Sequence, residues 1–216
     1  MNKYIFKCQY QPIFMKIYLV RHGETDYNKV SKFQGWHDIP LNEYGIELAV
    51  KTAEGLKDIN FDAAFSSPLQ RAYITAKTII DDRNIEIQTD DRLKEVNFGP
   101  NEGNSYVEAK KNANHPLHNF FCNPGSYCPT DGSESFDDVK KRVLDFLREK
   151  ILPLEKKCQN ILITAHGCLN RAILNSILGI PNSHYWQIKL PNCAVSILSL
   201  ENGKFEVIEK CKVYYY

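Results

Sequence analysis

The sequence predicts an α/β fold: a three-layer α/β/α arrangement with a mostly parallel central sheet and a loop-rich lid insertion at about residues 100–133. Three observations carry that expectation. Apolar runs at 17–20, 61–66 and 160–165 are each followed by a helical pattern, the alternation that builds parallel sheets. Each run ends on polar residues and a chain-breaker: Arg21-His22-Gly23, Ser66-Ser67-Pro68 and Ala165-His166-Gly167. From Pro100 to Ser133 the periodicity fails, over a stretch too long for an ordinary connection.

The elements follow in order. After the first strand, a polar and aromatic loop with Gly35, Trp36 and Pro40 leads to Asn42. Asn42 caps a helix whose buried face reads Ile46, Ala49, Val50, Ala53 and Leu56. The strand at 61–66 passes to Ser67 as N-cap and Pro68 as first helical residue, which puts Arg71 in the first turn. Residues 85–88 alternate as a third strand, and a short helix is expected around 106–112. Ser133 or Ser135 caps a long helix with Phe136, Val139, Val143, Phe146, Leu147 and Ile151 on one face. A helix follows the run at 160–165 through Leu178, and Gly179 closes it. Residues 194–200 and 204–208 make a hairpin around Asn202-Gly203, and the tail Tyr214-Tyr215-Tyr216 reads as a terminal segment without chemistry of its own.

Length and composition bound the rest. The 216 residues fit one domain, 15–216, with an insertion. Met15 opens what reads as an ordinary protein start, so residues 1–14 are expected to be an extension upstream of the natural start, or an extra edge strand. Lys3, Lys7 and Lys16 interrupt the apolar runs there, which argues against a signal segment or a membrane span. With 27 basic and 26 acidic residues, the chain carries no general footprint for nucleic acid or a membrane surface. Any affinity for anions must come from a few placed residues. Seven cysteines without a C-x-x-C spacing read as free thiols in a reducing, cytoplasmic setting.

The three strand ends share one edge of a parallel sheet, where such folds bind ligands. Arg21, His22, Arg71 and His166 would converge there, joined by Glu95 from the loop after the third strand. That set suits phosphoryl transfer to histidine: one imidazole attacks phosphorus, cations hold the equatorial oxygens, and an acid protonates the leaving oxygen.

These residues also carry a resemblance. Arg21-His22-Gly23-Glu24-Thr25 with Asn28 is similar to the signature of the histidine phosphatase superfamily, which includes cofactor-dependent phosphoglycerate mutases. Ser67-Pro68-Leu69-Gln70-Arg71-Ala72 resembles its second arginine motif, and Glu95 before Phe98-Gly99-x-x-Glu102-Gly103 its acid-bearing segment. Gly132-x-Glu134-Ser135 and His166-Gly167 complete the series, from about residue 15 to residue 200. The resemblance implies that His22 is the nucleophile and becomes phosphohistidine, while Glu95 is the proton donor and later the base. It implies that Arg21, Arg71, Asn28 and His166 bind the phosphoryl group and that Glu24 and Gly167 border the pocket. His22 must then be neutral at its attacking nitrogen, with its other N–H held by a partner such as a backbone carbonyl. No metal and no cofactor are expected, because arginines and His166 supply the positive charge.

The implied activity is a phosphomonoesterase of the histidine acid phosphatase type, acting on a small-molecule phosphate ester. The alternatives are a phosphoglycerate mutase and an inactive regulatory or binding module. Mutases of the family carry adjacent arginines in a longer insertion, whereas residues 112–130 here contain none. Inactive descendants lose a histidine or an arginine, and this chain keeps them all. Phe98, Phe120, Phe121 and Tyr127 suggest a lid over an apolar or sugar group. His115 and His118 read as loop residues rather than metal ligands, Lys110-Lys111 as a solvated charge run, and Cys168 as a small buried residue opening a helix.

Overall fold

The computed structural model describes residues 14–130 and 132–215. The expected N-terminal extension therefore lies, but for Phe14, outside the described residues. Six strands form one sheet in the order β3-β2-β4-β1-β5-β6. They are β1 (Met15–Arg21), β2 (Ala63–Ser66), β3 (Ile87–Thr89), β4 (Asn160–Ala165), β5 (Val195–Glu201) and β6 (Lys204–Lys212). The first four strands are mutually parallel, and β5 and β6 join as an antiparallel pair beside β1. Seven α-helices accompany them among the described residues: α1 (Asp26–Lys29), α2 (Glu43–Gly55), α3 (Gln70–Ile80), α4 (Tyr106–Lys111), α5 (His118–Cys122), α6 (Phe136–Phe146) and α7 (Gly167–Leu178).

The layers follow from strand alternation. Ile17, Leu19, Phe65, Ile161 and Ile163 face one way and pack with Val139, Val143, Leu169 and Ile173 of α6 and α7. Tyr18, Val20, Ala64 and Leu162 face the other way, against Ala76 and Ile79 of α3 and Leu56 at the end of α2. This is the three-layer fold expected from the sequence. Ser135 caps α6 with a reciprocal bond from Asp138, and the six apolar residues read as the inner face of that helix are all buried.

Local expectations need correction in several places. Ile46 and Val50 are exposed on α2, at 46% and 43%, and the inner face is instead Leu48, Ala49, Thr52 and Leu56. Gly45 sets this rotation, because it lies so close against the Glu24 backbone that a Cβ there would collide. Helix α3 starts at Gln70 rather than Pro68. Ser67 still donates to Thr164 O at 3.0 Å as an extension of the sheet, and the cap comes from elsewhere: Asp38 Oδ1 accepts Gln70 N at 2.7 Å. Strand β2 starts two residues later than read, at Ala63, and β3 is displaced to 87–89. Strand β6 runs on to Lys212.

The stretch at 100–133 is not loop alone. It contains α4 and α5, and it sends Ala109, Leu117, Phe120 and Tyr127 into the main core. No helix among the described residues is long and apolar enough to cross a membrane.

Candidate active site

The carboxyl ends of β1 and β4 lie side by side, tied by His22 N donating to Ala165 O at 2.9 Å. This brings His22 and His166 together, with ring centroids 5.2 Å apart. A cavity of about 140 Å³ opens there, lined on its floor by Arg21, His22, Asn28, Arg71, Glu95 and Gly167. His166 lies fully buried behind this lining. Glu24 is not part of it: its Oε1 accepts Asn42 Nδ2 at 3.0 Å, tying the strand end to the start of α2.

Each floor residue is held by backbone or by a neighbour. His22 Nδ1 lies 2.6 Å from Gly23 O. A carbonyl can only accept, so Nδ1 carries the proton and Nε2 keeps a free lone pair. Burial first, then the guanidinium groups of Arg71 and Arg21, push the His22 imidazole well below its usual range and keep it neutral. His166 Nδ1 accepts Arg71 Nε at 3.2 Å, so its proton sits on Nε2. Burial and Arg71 hold His166 neutral as well. Arg71 further donates to His37 O and Gly35 O, each at 2.7 Å, and is completely buried. Burial lowers Arg21 and Arg71 to about 10, so both remain charged at neutral pH.

Glu95 sits at the start of α7. Its Oε2 accepts Cys168 N, and its Oε1 accepts Leu169 N and its neighbour Val96 N, at 2.9 to 3.0 Å. Three donors fix the carboxyl group and leave one lone-pair site free, on Oε2.

Two buried donors beside His22 have no partner: Arg21 Nε and His166 Nε2. Unpaired buried donors are costly, and a site that collects them around a neutral imidazole is made for an anion.

Comparison with known proteins gives the family. The profile of the histidine phosphatase superfamily (branch 1) matches residues 17–211. The chain belongs to that superfamily. A phosphoglycerate mutase of Schizosaccharomyces pombe is 34% identical over 193 residues, 87% of this chain and 91% of the relative. The solved structure of YhfR from Bacillus stearothermophilus superposes with a TM-score of 0.86 at 30% identity, covering 92% of this chain and 98% of the other. The phosphoserine phosphatase of Entamoeba histolytica, solved in complex with 3-phosphoglyceric acid, gives a TM-score of 0.78 at 30% identity, with 92% and 98% covered.

Several residues that hold this histidine phosphatase site together escaped the sequence reading. Asn192 Nδ2 lies 3.0 Å from both His22 O and Gly23 O and 3.3 Å from Asn28 Oδ1. Thr75 Oγ1 accepts Gly23 N at 3.1 Å. Arg142 donates to Glu95 O at 2.9 Å while paired with Glu134, which in turn accepts Asn97 N. Glu102 accepts Trp36 N and His37 N, steadying the loop whose carbonyls hold Arg71. Only Glu134 and Glu102 had a signal, as members of motifs. Asn192 lies 170 residues from His22 in a stretch without a pattern.

Most of the rest of the cavity is an aromatic wall that includes Phe98, Tyr106, Phe120, Phe121 and Trp186, with Lys32 and Arg171 beside it. Trp36 donates from its indole to Glu95 O at 2.9 Å and stands outside the lining. Lys110 lies 4.5 Å from the centre of the Phe121 ring and 5.3 Å from that of Tyr106. Cys168 is buried, with its Sγ 3.2 Å from the Tyr185 hydroxyl. His118 Nδ1 lies 3.1 Å from Ala109 O.

Proposed function

We propose that the protein is a phosphomonoester hydrolase of the histidine acid phosphatase type, acting through phosphohistidine at His22 on a small phosphorylated metabolite. The observation that carries this reading is the neutral His22 with a free Nε2 lone pair, flanked by the unpaired donors Arg21 Nε and His166 Nε2. In this reading those donors and Arg71 bind the phosphoryl oxygens, with Asn28 on the same floor. In the first step the Nε2 lone pair forms a bond to phosphorus while the ester P–O bond breaks. Glu95 gives its proton to the departing oxygen, and the alcohol leaves. The Nδ1 proton stays on the bond to Gly23 O, stabilising the charged phosphoimidazole. In the second step water attacks phosphorus and loses its proton to Glu95. The P–N bond breaks, its electron pair returns to Nε2, and inorganic phosphate departs.

A mutase is the second reading: the chain is 34% identical to the Schizosaccharomyces pombe enzyme, and equally so to a relative named a putative phosphoserine phosphatase. It requires the phosphoenzyme to be captured by a phosphorylated acid rather than by water. The absence of arginine from residues 112–130 supports the hydrolase.

Rapid quenching with a labelled phosphate ester tests both. The parent should carry a base-stable, acid-labile phosphate that His22→Ala lacks, with turnover falling by about 10⁴-fold or more. Normal turnover by His22→Ala would remove His22 from the mechanism. Release of label as inorganic phosphate marks the hydrolase, and its transfer to phosphoglycerate marks the mutase.

A further inference from the structure

Beside Ser135, which caps α6, the Gly132-x-Glu134-Ser135 motif carries an acidic residue that the steps above do not use. Glu134 is the partner of Arg142, two turns further along α6. Arg142 uses every N–H donor of its guanidinium group. Nε and Nη2 grip the two Glu134 oxygens as a fork, at 2.7 and 2.9 Å. Nη1 donates to Arg92 O at 2.6 Å and Lys94 O at 2.7 Å, and Nη2 also donates to Glu95 O at 2.9 Å. No other side chain among the described residues donates to Arg92 O or Lys94 O. Glu134 holds the far end of the same stretch: its Oε2 accepts Asn97 N at 2.8 Å, and its own N–H donates to Asn97 O at 2.9 Å.

The stretch so held runs between short 3-10 turns at Asp91–Leu93 and Gly99–Asn101 and has no ladder of its own. Its main-chain groups must find partners elsewhere. Attachment to the protein is already provided, because Leu93 and Val96 are buried in the main core and Arg92 pairs with Asp90 and Glu149. What Arg142 and Glu134 add is a fixed height and rotation of the backbone at Glu95. The Glu95 carboxyl is bound separately to the start of α7, through Cys168 N and Leu169 N. Glu95 is therefore held at both ends, its main chain from α6 and its carboxyl from α7. The free lone-pair site on Oε2 is left with one direction. Proton transfer requires the donor within hydrogen-bond reach of the leaving oxygen, and a misplacement of about 1 Å can cost about 10² in rate.

We propose that the Arg142–Glu134 pair positions Glu95 for proton donation, so that it governs esters whose leaving group needs a proton and spares the attack by His22. This rests on the reading of Glu95 as the acid. Arg142 stands outside the cavity lining and acts through the main chain of Glu95, as a positioning residue.

The test compares single-turnover phosphoenzyme formation from 3-phosphoglycerate, an alkyl ester, with that from nitrophenyl phosphate. Arg142→Gln should slow the first by about 10- to 100-fold and the second by less than about 3-fold. Glu134→Gln keeps the main-chain bond to Asn97 O and should show the same selectivity at about 3- to 10-fold. It carries the test if the arginine variant does not fold. Arg142→Lys keeps the charge without the fork and should stay within about 3-fold of Arg142→Gln. In Glu95→Gln protein no acid remains to be positioned, so adding Arg142→Gln should slow the alkyl ester by less than about 3-fold further. Equal slowing of both esters, or of neither, would overturn the proposal. So would full recovery with lysine, or losses that multiply in the double variant. Selectivity in Glu95→Gln without selectivity in Arg142→Gln would refute the positioning role alone. Its absence from Glu95→Gln would refute the acid, and the positioning role with it.

Discussion

The floor and the wall of the cavity are built by different physics. On the floor, His22, Arg71 and Glu95 are all fixed by hydrogen bonds to backbone groups: Gly23 O, Gly35 O and His37 O, Cys168 N and Leu169 N. On the wall, Phe120 is fixed by rings, with six aromatic neighbours whose centroids lie 4.9 to 6.4 Å away. Backbone partners dictate an atom's position and its protonation. Packing dictates volume and tolerates substitution better. The floor is therefore the place where a single atom should matter to chemistry, and the wall the place where it should matter to stability.

Glu95→Gln puts the largest effect on the floor. It keeps the shape and removes the transferable proton. An alkyl phosphate departs as a poor leaving group and needs that proton, so its phosphoenzyme formation should slow by about 10² to 10⁴. Nitrophenyl phosphate departs as a stabilised phenolate and should suffer far less in a single-turnover burst. Equal losses on the two esters would make Glu95 a structural residue and not the acid.

Phe120→Ala is the matching cut on the wall. Removing a fully buried ring should cost about 3 to 5 kcal/mol in a urea titration. Phosphoenzyme formation from nitrophenyl phosphate by the folded variant should change by less than about 10-fold. A chemical loss comparable to that of Glu95→Gln would dissolve the distinction between the two regions.

How much could be read from the sequence follows the same line. Arg21, His22, Asn28, Arg71, Glu95 and Gly167 sit in short motifs next to strands or helix starts, and the structure lines one cavity with all six, with His166 behind them. Asn192 holds backbone 170 residues away, and no local pattern announces that. The helix face of α2 was misread because its rotation depends on Gly45 meeting a backbone from another element. The cap of α3 was misplaced because Asp38, 32 residues away, provides it. Within 100–133 the helix expected around 106–112 is α4, whereas α5 gave no pattern because it packs through adjacent aromatic residues rather than a helical stripe.

Arg71 tests the floor at a point where holding and binding overlap. Arg71→Ala should weaken vanadate by about 2 to 4 kcal/mol, the cost of a charged hydrogen bond lost in a closed site. Titration of vanadate against the folded variant measures this. Undiminished affinity would mean that Arg71 serves only to hold the Gly35 and His37 carbonyls.

The smallest effect should come from the tail, which reaches the floor through an intermediary. Tyr215 packs against Leu48, Ala49 and Cys193, and its hydroxyl donates to Asn192 O at 2.6 Å. Asn192 in turn holds the carbonyls of His22 and Gly23. Tyr215→Phe deletes one hydrogen bond and keeps the ring, so thermal or urea unfolding should show a loss of about 0.5 to 1.5 kcal/mol. Burial also raises the Tyr215 hydroxyl from 10.0 to about 12. The folded protein then keeps a proton that the unfolded chain gives up, so stability falls as pH climbs through that window. The variant should lack this part of the alkaline decline. Because three hydrogen bonds separate Tyr215 from the imidazole, phosphoenzyme formation should change by less than about 3-fold. A drop beyond 10-fold without matching loss of stability would show that Tyr215 positions the nucleophile, and that the floor extends through Asn192 to Tyr215.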